Sequence, residues 1–251
     1  MRMALGSEQH DLSTRALVLG AVPMTAAGPS TAPPGPADDL LAAAGQLVDA
    51  GADLLIVPSC DDAEVAAQAI RRLRDRFDLP IAVRLSSADR GQDAAASFVR
   101  AGAAMLVGLR PEADADCIAT ITDSKAFVVL RAEPGRTDDA EGPLESALGA
   151  AAAAIRAVEA AGVARQRIGL EVTGALDLAP PAAAALGPAD RLVALRCPVL
   201  VSLAPWDDDP VEAVTAASLA VLSGRRLICT RQVKAVRRAC DVVSAVLEAE
   251  R

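Results

Sequence analysis

Residues 49–57 read DAGADLLIV, and the order of these residues decides the fold. Gly51 is the residue type that closes a helix, because it enters the left-handed region without a Cβ clash. Leu54 to Val57 then run apolar with no polar alternation, as a parallel strand covered on both faces does. The same order returns in RAGAAMLVG (100–108) and AAGVARQRIGL (160–170). A helix, a glycine and a buried strand, repeated, are the beat of alternating β and α units.

Extended along the chain, that beat predicts strands at Ala16–Val22, Asp53–Pro58, Ile81–Leu85, Ala104–Leu109, Ala126–Arg131, Ile168–Val172, Val199–Leu203 and Leu227–Thr230. Amphipathic helices fill the intervals. In the second, Val65, Ala69, Leu73 and Phe77 recur at four-residue spacing, and Asp61 with Glu64 has the form of a capping box. In the last, Val233, Val236, Cys240, Val243 and Leu247 step by three and four. Eight such units predict a single (β/α)8 barrel over residues 15–251, with residues 1–14 as a disordered or extended tail. An open, doubly wound sheet is the alternative, but no glycine-rich dinucleotide turn follows the first strand.

Composition narrows the function. A net charge of −8 argues against a phosphate backbone as partner, and 2% aromatic content with no tyrosine leaves no base-stacking platform. Apolar runs such as Ala147–Ile155, interrupted by Gly149, fall far short of the ~20 residues that span a bilayer. The N-terminal residues have no apolar core long enough for a leader. The five cysteines, Cys60, Cys117, Cys197, Cys229 and Cys240, are odd in number and widely spaced, and His10 is the only histidine. They read as small buried thiols of a reducing compartment, so the chain is expected in the cytoplasm, without a metal, a disulfide or a cofactor.

Two irregular stretches, Pro23–Ala37 after the first strand and Ala132–Glu145 after the fifth, belong on the C-terminal face of the barrel, where active-site loops gather. Four strand ends on that face carry arginine: Arg84, Arg110, Arg131 and Arg231. Glu171 and the run Asp207–Asp209 are the acids available to answer them. One reading is a site for an anionic small molecule held by guanidinium forks. The other is an internal Arg–Glu network that fills the barrel mouth. Asp207–Asp209 reads as caps for the helix that Pro210 starts, because three consecutive carboxylates cannot converge on one metal ion. Trp206 reads as a plug of the pocket. No residue stands out as catalytic: Cys60 and Cys229 have no histidine partner, and Glu171 alone specifies no substrate.

Taken together, VDAGADLLIVPS (48–59), LPIAVRLSSADRGQDAAASFVRAGAAMLVGL (79–109), RIGLEVTGAL (167–176), CPVLVSLAPW (197–206) and RRLICTRQV (225–233) resemble the dihydropteroate synthase family of pterin-binding barrels. The resemblance runs from about Arg15 to the C-terminus and is carried by the Gly-Ala turns and apolar strands. It implies the same barrel and a homodimer through the C-terminal helices.

The positions that the resemblance assigns to chemistry hold other residues. The family's first loop, Asn-x-Thr-Pro-Asp, falls on Pro23, Met24, Thr25, Ala26 and Ala27, where only Thr25 matches. The Ser-Thr-Arg loop after strand two falls on Cys60 and its neighbours. The family's strand-two and strand-three aspartates fall on Ile56 and Arg84, and its strand-four Asn-Asp pair on Val107 and Gly108. In strand six Glu171 takes the aspartate's place, while Val172 and Thr173 replace Pro-Gly. The strand-seven Ser-Arg-Lys becomes Ala204, Pro205 and Trp206, and the final Arg-x-His-Asp becomes Cys229, Thr230, Arg231 and Gln232. The only lysines are Lys125, before strand five, and Lys234, in the last helix. These residues predict a synthase-like barrel with a degenerate active site, a scaffold, partner or regulator. The alternatives are an enzyme of altered specificity for an anionic small molecule, or a divergent synthase of folate biosynthesis.

Overall fold

Alternate side chains of a strand leave opposite faces, so each apolar strand here feeds two cores at once. The computed structural model describes residues 15–23, 36–58, 62–85, 92–110, 115–132, 143–172 and 195–250. Its strands are β1 (Leu17–Ala21), β2 (Leu54–Val57), β3 (Ile81–Arg84), β4 (Met105–Leu109), β5 (Phe127–Ala132), β6 (Ile168–Val172), β7 (Val199–Ser202) and β8 (Leu227–Thr230). All pairs are parallel, and β8 pairs back onto β1 through Val18 and Ile228 to close the barrel in sequence order. The eight predicted strands are therefore the eight observed, each within a residue of its expected bounds.

Inside the ring, Leu19, Ile56, Met105, Phe127, Val129 and Leu200 form a lumen core. Outside it, Val18, Leu55, Val83, Leu106 and Ile228 pack under the helices. Those helices are α1 (Pro36–Asp49), α2 (Ala63–Arg76), α3 (Gln92–Ala101), α4 (Ala115–Thr122), α5 (Pro143–Ala160), α6 (Pro210–Leu222) and α7 (Val233–Ala249). A helix between β6 and β7 would fall in residues 173–194, outside those described, as do the predicted tail 1–14 and most of the two long loops. No described helix is long and apolar enough to cross a membrane.

The glycines that announce the beat behave as expected, with Gly51, Gly102 and Gly162 at φ of 95°, 99° and 100° directly after α1, α3 and α5. The predicted stripe of α2 needs correction. Four-residue steps overrun the 3.6-residue turn, so a line drawn through them drifts around the helix. Ala69 and Leu73 are buried as predicted, with Ala66 and Ile70 beside them, while Val65 is 46% exposed, and Phe77 packs on the core from beyond the last turn as the C-cap. The cap is Asp62, which accepts from the Glu64 amide at 2.9 Å, whereas Asp61 lies outside the described residues. α7 buries Val233, Val236 and Cys240, with Val243 and Leu247 partly covered, as predicted.

β2 starts at Leu54 because Asp53 has other work. Its carboxylate accepts from the Val18 amide at 2.8 Å and from Arg237 Nη1 at 2.7 Å. The same Arg237 nitrogen donates to the Ala16 carbonyl at 3.0 Å. One buried guanidinium thus ties α7 to the starts of β1 and β2, at the end of the barrel opposite the mouth.

Candidate functional site at the barrel mouth

The C-terminal strand ends converge on the mouth, and side-chain parity decides which residues enter it. Ala82 lines the lumen, so Arg84, two residues on in β3, points the same way. Its Nη1 reaches across the barrel to Glu171 Oε1 on β6 at 2.5 Å. From the neighbouring β5, where Arg131 pairs in register with Glu171, the Arg131 guanidinium approaches the other oxygen, with Nη2 at 3.3 Å from Oε2. Glu171 is buried, at 3% exposure, with one arginine on each oxygen.

Gly108 lies beside this pair. β4 carries a register shift between Val107 and Leu109, and Gly108 sits there at φ 91°, a backbone state that disfavours any side chain. A Cβ at that position would come within 3.9 Å of Glu171 Oε2.

Burial is the largest single influence on Arg84 and by itself would lower its pKa, but Glu171 and Cys229 together outweigh it and hold the guanidinium above its ordinary value. The Cys229 thiol, inward-facing on β8 beside Arg84, is pushed by burial up to about 11 despite that neighbouring cation. It is a neutral filler at physiological pH, without the thiolate character a nucleophile needs.

A second cluster closes the rim between β7 and β8. Asp207, 3% exposed, accepts from the Thr230 hydroxyl and from the Arg231 amide at 2.9 Å. The Arg231 Nε lies 3.6 Å from its Oδ2, and Arg231 Nη2 bonds Asp208 at 2.8 Å. Gln232 Nε2 donates to the Asp207 carbonyl at 2.8 Å. Asp209 alone is the helix cap, accepting from the Val211 amide at 2.8 Å. The expectation of three caps is therefore corrected to one. A buried carboxylate must find donors, and Asp207 finds them on β8.

Of the residues singled out in the sequence, Arg84, Arg131 and Glu171 come together, and Arg231 pairs instead with the acidic turn. Arg110 follows β4 directly, partly buried, with polar interactions of its own. Trp206 is not a plug of the mouth: it lies in a short 3-10 turn and packs on the core outside the barrel. Arg84 occupies the mouth in its stead. Cys60, Met24, Thr25, Ala26, Ala27 and Thr173 lie outside the described residues. The parts that sequence reasoning missed are Asp207 with Thr230, Gly108, and Cys229 beside Arg84. One signal was available for the first, since the Thr230 hydroxyl in an apolar strand demands a nearby acceptor.

The residues present do not fit the magnesium ion that the resemblance would imply. The position of its asparagine is Pro23, which offers no side-chain oxygen, and the described mouth residues Arg84 and Arg131 bring cationic guanidiniums against Glu171. Among the described residues, no three His, Cys, Asp or Glu side chains are grouped to hold a metal.

No protein-family model matches the sequence, and no curated protein sequence matches it. Solved structures do match. The Xanthomonas albilineans dihydropteroate synthase, in complex with indole-2-carboxylic acid and 6-chloroguanine, is 23% identical at a TM-score of 0.76, covering 93% of both chains. The Coxiella burnetii enzyme, in complex with pteroic acid, is 21% identical at a TM-score of 0.74, with 94% of each chain covered. A dihydropteroate synthetase with bound product reaches 0.78 at 20% identity over 95% of this chain and 96% of that one. The chain therefore has the (β/α)8 fold of the dihydropteroate synthases over nearly its whole length.

Proposed function

We propose that this protein is a non-catalytic relative of dihydropteroate synthase, a barrel retained as a scaffold, partner or regulatory subunit. The observation that carries the reading is the Arg84–Glu171 pair across the mouth, at 2.5 Å. The aminopyrimidine edge of a pterin presents N–H donors and needs acceptors. Arg84, where the resemblance implies an aspartate, has only donors. Among the described residues, the carboxylate that faces it, Glu171, already has an arginine on each oxygen. Donors left unpaired in a buried pocket cost about 1–3 kcal/mol each. Expulsion of pyrophosphate also develops oxyanion charge that a metal ion and mobile cations must meet. Here Arg84 and Arg131 are committed to Glu171, and Arg231 to Asp207 and Asp208. The test is complementation of a cell lacking its own synthase. No growth is expected at normal expression, and growth would overturn the reading.

The same reading includes a homodimer. Val211, Leu222, Val242 and Val246 are 72%, 54%, 64% and 51% exposed, and all lie on α6 and α7, which pack side by side. Among the described residues only Val65 is a comparably exposed large apolar side chain elsewhere, so this surface is the one that association would cover. Light scattering at micromolar concentration is expected to give twice the 25.6 kDa chain mass. A monomer mass would remove the dimer from the account.

A further inference from the structure

We infer that the end of the barrel opposite the mouth carries a site for a tetrahedral oxyanion, a phosphate or sulfate group, built on Arg225 where β7 and β8 begin. This goes beyond the non-catalytic reading and involves no residue of the mouth.

The first ground is a buried cation that lacks an acceptor. Arg225 lies between α6 and β8 and is 1% exposed. Its Nη1 donates to the Ser223 hydroxyl, while its Nη2 is buried and has no hydrogen-bond partner. No described carboxylate pairs with it, and burial alone draws its pKa down to about 10. Asp53 and Glu159, acids at the same end of the barrel, are taken by Arg237 and Arg165. The carbonyls that end α6 are also in use. Those of Leu219 and Ala220 accept from the Ser223 hydroxyl at 2.8 and 3.0 Å, and that of Val221 accepts from Arg226 Nη1 at 2.8 Å. A water molecule would satisfy the free N–H but leave the charge unmatched, and an unmatched buried charge is the costlier of the two.

The second ground is another cation at the start of the adjoining strand. Leu200 pairs in register with Leu227, and the Arg226 amide donates to the Val199 carbonyl at 3.3 Å, which sets Pro198 beside Arg225. Arg196 stands two residues before Pro198, exposed, and pairs with no described acid.

The ligand's chemistry follows from this arrangement. Arg225 offers a fixed, buried N–H edge, and Arg196 offers a solvated side chain that can approach from outside. An ion with oxygens in several directions and up to two negative charges accepts from both, whereas a flat carboxylate matches one guanidinium edge.

The test is thermal melting of the full chain in sodium sulfate, potassium phosphate and glycerol 3-phosphate, against sodium chloride at matched ionic strength. Sulfate and phosphate also stabilise proteins generally by exclusion from their surface, so saturation and the response of variants decide the matter. A saturable rise in melting temperature is expected with phosphate and sulfate, about 3–6 °C at ten times the dissociation constant. Arg225→Met, which removes the charge and keeps most of the bulk, is expected to abolish that rise. Arg196→Gln, an exposed change that leaves the fold intact should the first variant fail to fold, is expected to weaken binding roughly tenfold. Glycerol 3-phosphate binding as tightly as phosphate would support the site as one for a phosphate ester, and binding tenfold weaker would support it as one for the free ion. No saturable response in the unmodified chain, or an equal response in both variants, would overturn the inference. A response kept in Arg225→Met but lost in Arg84→Gln/Glu171→Gln would overturn it too, by placing the ion at the mouth. None of these outcomes alters the complementation result, so the two readings fail separately.

Discussion

Arg84 stands where a barrel of this fold keeps its ligand pocket, and its side chain spends the lumen's polar space on Glu171. Removing one member of such a pair leaves the other buried and unanswered. Arg84→Ala is expected to cost roughly 3 kcal/mol, a fall on the order of 6–12 °C in melting temperature. The double change Arg84→Met/Glu171→Leu removes both charges and is expected to lie within about 1 kcal/mol of the unmodified chain. Thermal or urea unfolding of the three proteins reads this directly, and an Arg84→Ala protein as stable as the parent would show that the pair does not hold the mouth. The buried thiols give a pH dependence of definite sign. Cys197, Cys229 and Cys240 are each raised by burial from the ordinary 9.0 to about 11. The unfolded chain therefore loses these protons first as pH rises. Their contribution is complete below pH 9 and falls between 9 and 11, by up to about 1.4 kcal/mol per pH unit for each thiol. Urea midpoints measured across that window should decline, and Cys229→Ala should flatten the slope; equal slopes in the two proteins would contradict the assignment.

The acidic turn between β7 and α6 shows how neighbouring residues of one type acquire different work from the elements around them. Asp207 is buried against β8, Asp208 is 93% exposed at its side chain, and Asp209 caps α6. Alanine at the three positions should rank accordingly. Asp207→Ala strands the Thr230 hydroxyl and the Arg231 amide, at roughly 2–4 kcal/mol. Asp209→Ala loses a cap, about 1 kcal/mol, and Asp208→Ala should stay within about 0.5 kcal/mol of the parent. Equal losses at all three would mean that the turn is not tied to β8. The turn also marks where the sequence stops being legible. The strands could be read because burial on both faces writes a continuous apolar run, as in Leu54–Val57. The helix closures were equally plain, because Gly51, Gly102 and Gly162 adopt a backbone state few other residues accept. What an acid or an arginine touches depends on register between distant strands, and no local pattern records that. Asp207 and Asp209 look alike in sequence, and only the closing of β7 onto β8 separates them. Likewise, the strand ends announced Arg84, Arg131, Arg231 and Glu171, and an Arg–Glu network was one of the two readings of them, but not that Arg84 and Arg131 would join it while Arg231 turned to the rim. Gly108 was read as a lost side chain, whereas its φ of 91° at the register shift of β4 is what calls for glycine there.

The molecule as a whole is a frame closed by β8 pairing onto β1. The outer core, the lumen and the Arg237 clamp at the far end all serve closure of the ring, and none depends on the residues at the mouth. The likeness to dihydropteroate synthases runs over more than 90% of the chain at identities of 18–23%, and it is a likeness of fold. The central claim is that the chain's own side chains occupy the space a pterin would need and face its donors with donors. Fluorescence titration of the purified protein with 6-hydroxymethylpterin, which carries no phosphate and so does not engage an anion site, tests this most directly. The account predicts no saturable change up to the solubility of the pterin. Saturable binding that is weakened by Glu171→Gln would contradict it, because it would mean that Glu171 accepts the pterin's donors in place of Arg84.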